Sequence, residues 1–229
     1  KSVDPTALVA AGQIVQPTPL RLHYLDLVLG AYRSLTGSEM PVDVWAIHAY
    51  PLNEDPAAWG ADIPPGVSPT QGQPLLIDVE DTKDPELFRQ FVIDFRQWMA
   101  DHGYQDCPLM VTEFGVLMPK DYGGFDESGV IAYMDEVLGF LTSASGETGY
   151  PADDDRLVQR WAWYSLTGRA GEAGEVGALA GWLYDVDTYR RTEAGQAYRR
   201  IARAQPRTVN LRPAQLSAEK VAGSSPGEP

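Results

Sequence analysis

Glu113, His48 and Tyr50 are the residues whose types and positions suggest chemistry. Glu113 follows a short apolar run, Leu109, Met110 and Val111, which has no helical period and stops before Gly115. That pattern reads as a buried parallel strand. A carboxylate at its end is costly to desolvate unless a partner or a task holds it there. In barrels of alternating strands and helices, active sites form at that carboxyl end. His48 and Tyr50 end another apolar run, residues 42–50, and alternation puts both on one face with Val44 and Ala46. The same rule groups Leu109, Val111 and Glu113, and it groups Trp161 with Trp163 on the run 160–166. A carboxylate, an imidazole, a phenol and indole rings at one rim suit saccharides, whose CH faces stack on rings and whose hydroxyls bond to polar groups. Retaining glycosidases use one carboxylate as nucleophile and a second as acid/base, about 5–5.5 Å apart. A tyrosine hydroxyl near Glu113 would orient it and favour its ionised form.

The elements that must position these groups alternate along the chain. Residues 7–15 read as a strand, and Thr18-Pro19 then opens a helix that Gly37 ends. The strand 42–50 leads into a loop of thirty-odd residues with six prolines between Pro51 and Pro74, too many for regular structure. Asp84-Pro85 starts a second helix with Phe88, Phe91, Val92, Phe95 and Met99 on its apolar face, stopping near Gly103. The Glu113 strand follows, then a helix over 127–141 and a strand over 160–166. Residues 179–184 suggest a short extra strand, and 192–204 a closing helix. Strand–helix alternation of this kind implies a parallel α/β sheet. After Gln205 the composition turns to Pro, Ser and Gly, so 1–205 reads as the folded unit and 206–229 as a disordered linker.

Bulk properties narrow the partners. A net charge of −14 argues against nucleic acid and against an anionic membrane surface. Cys107 is the only cysteine, and His23, His48 and His102 are scattered, so neither a disulfide nor a metal centre is expected. No cofactor is implied. There is no apolar run of membrane-spanning length, and no signal peptide is visible at Lys1. A chain starting at Lys1 rather than Met is expected to be a processed or partial product.

The motifs together resemble the second half of a clan A glycoside hydrolase barrel, nearest to family 128. Residues 43–50 (DVWAIHAY) match barrel strand six, Thr112-Glu113-Phe114-Gly115 strand seven, and residues 160–164 (RWAWY) strand eight. Leu183-Tyr184-Asp185 and the Thr192 to Tyr198 pattern follow, and residues 7–15 would be strand five. The resemblance covers about residues 5–205 and implies a (β/α)8 barrel of which strands 5–8 are present. It makes Glu113 the nucleophile, with His48 and Tyr50 lining the adjacent subsite and Trp163 the stacking platform. Such barrels carry their acid/base glutamate in an Asn-Glu pair ending strand four, which by this resemblance would be expected upstream of Lys1. Asn53-Glu54 is such a pair, but it falls in the loop after strand six. The open half would be completed by an N-terminal half-barrel or by a second copy.

The expectation is a retaining glycoside hydrolase acting on a β-glucan or related polysaccharide, extracellular or at the cell surface. Glu113, Tyr50 and His48 carry the chemistry, and Trp163, Trp161 and Trp59 contact substrate. The alternative is a non-catalytic carbohydrate-binding module derived from such a barrel. A metal-dependent hydrolase or an aldolase would need clustered histidines or a strand ending in lysine, and neither is found. Trp45 and Trp98 are assigned to packing.

Overall fold

Four parallel strands lie side by side in chain order and carry the candidate residues. The computed structural model describes residues 3–4, 6–55, 59–168 and 179–204. Its strands are β1 (Ala10–Ile14), β2 (Val44–His48), β3 (Leu109–Phe114), β4 (Ser145–Tyr150) and β5 (Arg160–Trp163). The sheet has the order β1-β2-β3-β5, all parallel, so β1 and β5 are its outer strands. β4 stands apart and bridges Arg156 in antiparallel fashion. Helices α1 (Pro19–Thr36), α2 (Pro85–Asp101) and α3 (Glu127–Ser143) connect the strands, and α4 (Glu193–Ala204) follows β5.

Local chemistry sets the helix ends. Pro19 opens α1, and Gly37 closes it in the left-handed conformation, donating its N–H to Arg33 O. Asp84 caps α2 by accepting from Glu86 N at 2.8 Å, and Asp126 caps α3 by accepting from Gly129 N at 2.8 Å. The expected apolar face of α2 is buried throughout. Its Phe88, Val92, Phe95 and Met99, with Met134, Val137 and Leu138 of α3, form one core with Trp45 and Ile47 of β2 and Leu109, Val111 and Phe114 of β3. Each such side chain contributes about 1.5–3 kcal/mol by leaving water. This layer holds the sheet from one side and leaves His48 on the other.

Several expectations are corrected. The first strand is shorter than 7–15, with Leu8 and Val9 exposed. The last sheet strand stops at Trp163; Tyr164 N still bonds to Phe114 O, but the Ser165 and Leu166 carbonyls accept from Leu183 and Tyr184 instead of continuing along β3. Residues 179–184 form isolated bridges, Leu179 with Pro119 and Tyr184 with Arg191, instead of a strand. Pro119 has no N–H with which to extend a ladder. The proline-rich loop holds two short 3₁₀ helices, Pro69–Gln71 and Val79–Lys83, each with a capping box. The linker expected over 206–229 lies outside the described residues.

Two extra residues bend the sheet near its carboxyl end. On β1, Gly12 pairs with Ala46 but Ile14 pairs with Ile47, so Gln13 is inserted. Gly12 is required there, since a Cβ would lie 2.7 Å from Ala46 O. On β3, Val111 pairs with Ile47 but Glu113 pairs with His48. Against β5, Val111 pairs with Trp161 and Phe114 with Trp163. Both partners therefore see one extra residue between Val111 and Phe114, a β-bulge.

At the opposite end a buried guanidinium ties β3 to β5. Arg96 of α2 is fully buried and donates to Leu157 O, to Cys107 O at 3.0 Å and to Gln159 Oε1 at 2.6 Å. The same oxygen accepts from Leu109 N at 2.8 Å. Among the described residues no carboxylate bonds to it directly; the charge is solvated by carbonyl dipoles, which a buried guanidinium needs to be tolerated.

Candidate active site

The bulge decides which way Glu113 points. Leu109, Val111 and Phe114 all join the helix-facing core, a three-residue step at the end that simple alternation does not allow. The extra residue turns Glu113 to the face of His48, away from Val111. The grouping of Glu113 with Leu109 and Val111 is thereby corrected. Glu113 is also only half-buried, its side chain 41% exposed, so it is not the deeply desolvated carboxylate that the apolar run implied.

Three expected residues meet at this rim. The Tyr50 hydroxyl donates to Glu113 Oε2 at 3.3 Å. His48 Nδ1 lies 3.6 Å from the same oxygen, a charge contact when the imidazole is protonated. The His48 and Tyr50 rings meet edge to face, with centroids 6.3 Å apart. Tyr50 is almost wholly buried, 4% exposed. Burial first, then the Glu113 charge and its hydrogen bond, push the phenol far above its ordinary range, so it stays a proton donor. Among the described residues Glu113 Oε1 accepts no hydrogen bond, which leaves one oriented oxygen and one free for a substrate atom.

The tryptophans are not part of this group. Trp163 is 7% exposed; its ring packs on Phe114 at 5.4 Å and on Tyr133 at 6.4 Å, and its Nε1 donates to Gly181 O at 2.7 Å. It faces the helices and offers no stacking platform. Trp161 has the same parity and packs, partly buried, against the same core. Trp59 is exposed on the loop beside Asn53, where Ala61 N bonds to Asn53 O at 2.9 Å. No ring contact or hydrogen bond among the described residues joins Trp59 to Glu113.

Tyr164 takes the place expected for an indole. It is 43% exposed, and its ring stands edge-on to Tyr50 at 6.4 Å. Its N–H bonds to Phe114 O at 2.8 Å, and its carbonyl packs where a side chain on Gly115 would be, 2.2 Å from an ideal Cβ. Gly115 is thus needed for close approach of β3 and β5 at this point. Strand parity carried the signal: Arg160, Ala162 and Tyr164 alternate with the tryptophans. Ring size pointed to the wrong set.

Glu54 has a different task. It is 1% exposed; Oε1 accepts from Thr18 Oγ1 at 2.7 Å and Arg21 Nε at 2.8 Å, and Oε2 from Leu75 N at 3.0 Å. All its near partners are structural, and they pin the long loop to the start of α1. Gln16 does the same two residues earlier, exchanging two hydrogen bonds with the Leu52 backbone at 2.8 and 2.9 Å.

Among the described residues no three or more His, Cys, Asp or Glu side chains are placed to hold a metal ion, and no helix is long and apolar enough to cross a membrane.

No protein-family model matches the chain, and no curated protein matches it either. Neither comparison supports the resemblance to family 128. Among solved structures the chain is similar to the crystal structure of a monomeric beta-xylosidase from Caulobacter crescentus CB15, with a TM-score of 0.49 and 15% sequence identity. The match covers 90% of this chain and 35% of that one, so the chain spans about a third of the other's length. A likeness of this degree leaves the site to be read from its own geometry, and that geometry is an oriented, solvent-open carboxylate flanked by a neutral phenol, an imidazole and an exposed aromatic ring.

Proposed function

We propose that the chain carries the nucleophile side of a retaining glycoside hydrolase. The observation behind this is the hydrogen bond from the buried Tyr50 hydroxyl to Oε2 of a half-exposed Glu113, with Oε1 left open. Glu113 Oε1 attacks the anomeric carbon, the glycosidic oxygen leaves, and a glycosyl ester forms that water then hydrolyses. Tyr50 fixes the carboxylate and, as a neutral donor, stabilises its charge. His48 contacts the same oxygen and, with Tyr164, borders the bound ring. The acid/base carboxylate comes from outside the Tyr50–His48–Glu113 cluster. In this reading the four parallel strands are strands 5–8 of a (β/α)8 barrel, whose remaining strands come from an N-terminal half or a second copy. The substrate class is a β-glucan or a related polysaccharide outside the cell.

The test separates nucleophile from acid. A 2-deoxy-2-fluoro glycoside with a dinitrophenyl group needs no protonation to depart, so attack by Glu113 alone should release dinitrophenolate and leave the sugar esterified. Mass spectrometry of a panel of such glycosides should place the added sugar on the peptide holding Glu113, and Glu113→Gln should show none. Labelling at another residue, or equal labelling of Glu113→Gln, would remove the assignment. The exclusion of an acid/base from the cluster favours a second reading, a non-catalytic saccharide-binding module. That reading expects glycan binding with no adduct from any member of the panel.

A further inference from the structure

The chain has a net charge of −14, yet Arg190, Arg191, Arg199, Arg200 and Arg203 line one hollow of about 530 Å3 between α4 and the turn before it. Arg199, Arg200 and Arg203 recur at helical spacing on α4, away from its buried Ala194 and Ala197. Guanidinium groups gathered this closely repel one another, a cost that packing does not explain because all five are exposed. Arg200 reaches Asp135 at 3.6 Å in solvent. Arg191 donates to the Tyr184 hydroxyl at 2.9 Å and lies over that ring. Among the described residues Arg190, Arg199 and Arg203 pair with no carboxylate.

Tyr184 and Tyr189 line the same hollow, and Tyr189 is 84% exposed. Both also line an adjoining, mostly apolar hollow of about 440 Å3 with Leu166 and Val186. Leu166 is two residues from Tyr164, at most about 7 Å of chain. Tyr164 at the Glu113 rim is thus two residues of chain from Leu166, which lines the hollow that shares Tyr184 and Tyr189 with the arginines. Phenol faces suit sugar rings, and guanidinium forks suit carboxylates carried on them. A small inorganic anion would leave the tyrosines unused. A polynucleotide would not account for the connection to a rim suited to saccharides.

We infer that the arginine hollow is a subsite for an acidic glycan, one bearing uronate carboxylates along its length. This rests on the saccharide reading of the Glu113 rim. The test is calorimetric titration of the full chain with polygalacturonate, with a neutral β-glucan and with a single-stranded DNA oligonucleotide. Polygalacturonate should bind at low salt and weaken as salt rises. The double variant Arg199→Gln/Arg203→Gln should bind it about tenfold more weakly or worse while its circular dichroism and its affinity for the neutral glucan stay as in the parent. Equal polygalacturonate affinity in the two proteins would overturn the subsite, as would tighter binding of the oligonucleotide than of polygalacturonate. Arginine-dependent binding by a protein that forms no glycosyl adduct sustains the subsite and removes the hydrolase reading. An adduct without arginine-dependent binding does the reverse.

Discussion

Glu113 stands in register with His48, although Val111, two residues before Glu113, stands in register with Ile47, only one before His48. That mismatch puts the carboxylate beside the imidazole and under the Tyr50 hydroxyl. The first prediction follows directly. Tyr50→Phe removes the donor but keeps the ring, so glycosyl-ester formation should slow by about 10- to 100-fold, the value of one hydrogen bond to a charged group, while the melting temperature moves little because Glu113 stays open to water. An unchanged rate would show that the hydroxyl does not act on the nucleophile.

Tyr164 and Trp163 should separate binding from stability. Tyr164→Ala should weaken glycan binding with a small effect on unfolding. Trp163→Ala should cost about 3–5 kcal/mol of stability in urea titrations, as large aromatic truncations in a core do. Weak binding by a fully stable Trp163→Ala protein would reverse the two roles.

Glu54 is expected to be structural. Glu54→Gln leaves the Arg21 charge buried and turns an amide N–H₂ toward a donor, so stability should fall by about 3–5 kcal/mol. Glycosyl-ester formation at a temperature where the variant is folded should match the parent. A variant that stays stable while losing acid-assisted hydrolysis would make Glu54 catalytic instead.

Arg96→Met should be more damaging than its distance from the rim suggests. It leaves Leu157 O and Cys107 O without their donor and Gln159 Oε1 with Leu109 N alone, and about 3 kcal/mol or more of stability should be lost. Chemical denaturation measures it directly. A loss under about 1 kcal/mol would mean that the Leu157 and Cys107 carbonyls find other partners.

Alkaline pH should destabilise the protein. Burial raises the Cys107 thiol from 9.0 to about 11, and burial likewise raises Tyr50, Tyr104 and Tyr133 above 10.0. For acids raised by folding, the unfolded chain loses its protons first, so their stabilisation is complete below pH 9 and declines as pH rises toward 11. The thiol contributes on the order of 2 kcal/mol of that decline. Thermal melts from pH 8 to 11 should show the fall, and Cys107→Ala should flatten its early part. A melting temperature that is constant to pH 11 would rule this out.

Much of the scaffold was legible in the residues alone. The spacing of Phe88, Phe91, Val92, Phe95 and Met99 defined the buried face of α2, Thr18-Pro19 and Gly37 marked the ends of α1, and two-residue spacing put His48 and Tyr50 together at the end of β2. These are periodicities and caps, properties of neighbouring residues. What tertiary structure decided is where the periodicity fails and which distant groups pair. Nothing in Val111-Thr112-Glu113-Phe114 announces an inserted residue, because a bulge is defined by the pairing of β3 with β2 and β5 at once. The fate of Glu54 rests on Thr18 and Arg21, more than thirty residues upstream, and the choice of Tyr164 over Trp163 on the packing of α3 against β5. Alternation assigns a side chain to a face only until strand pairing interrupts it, and here the interruption falls within the candidate site.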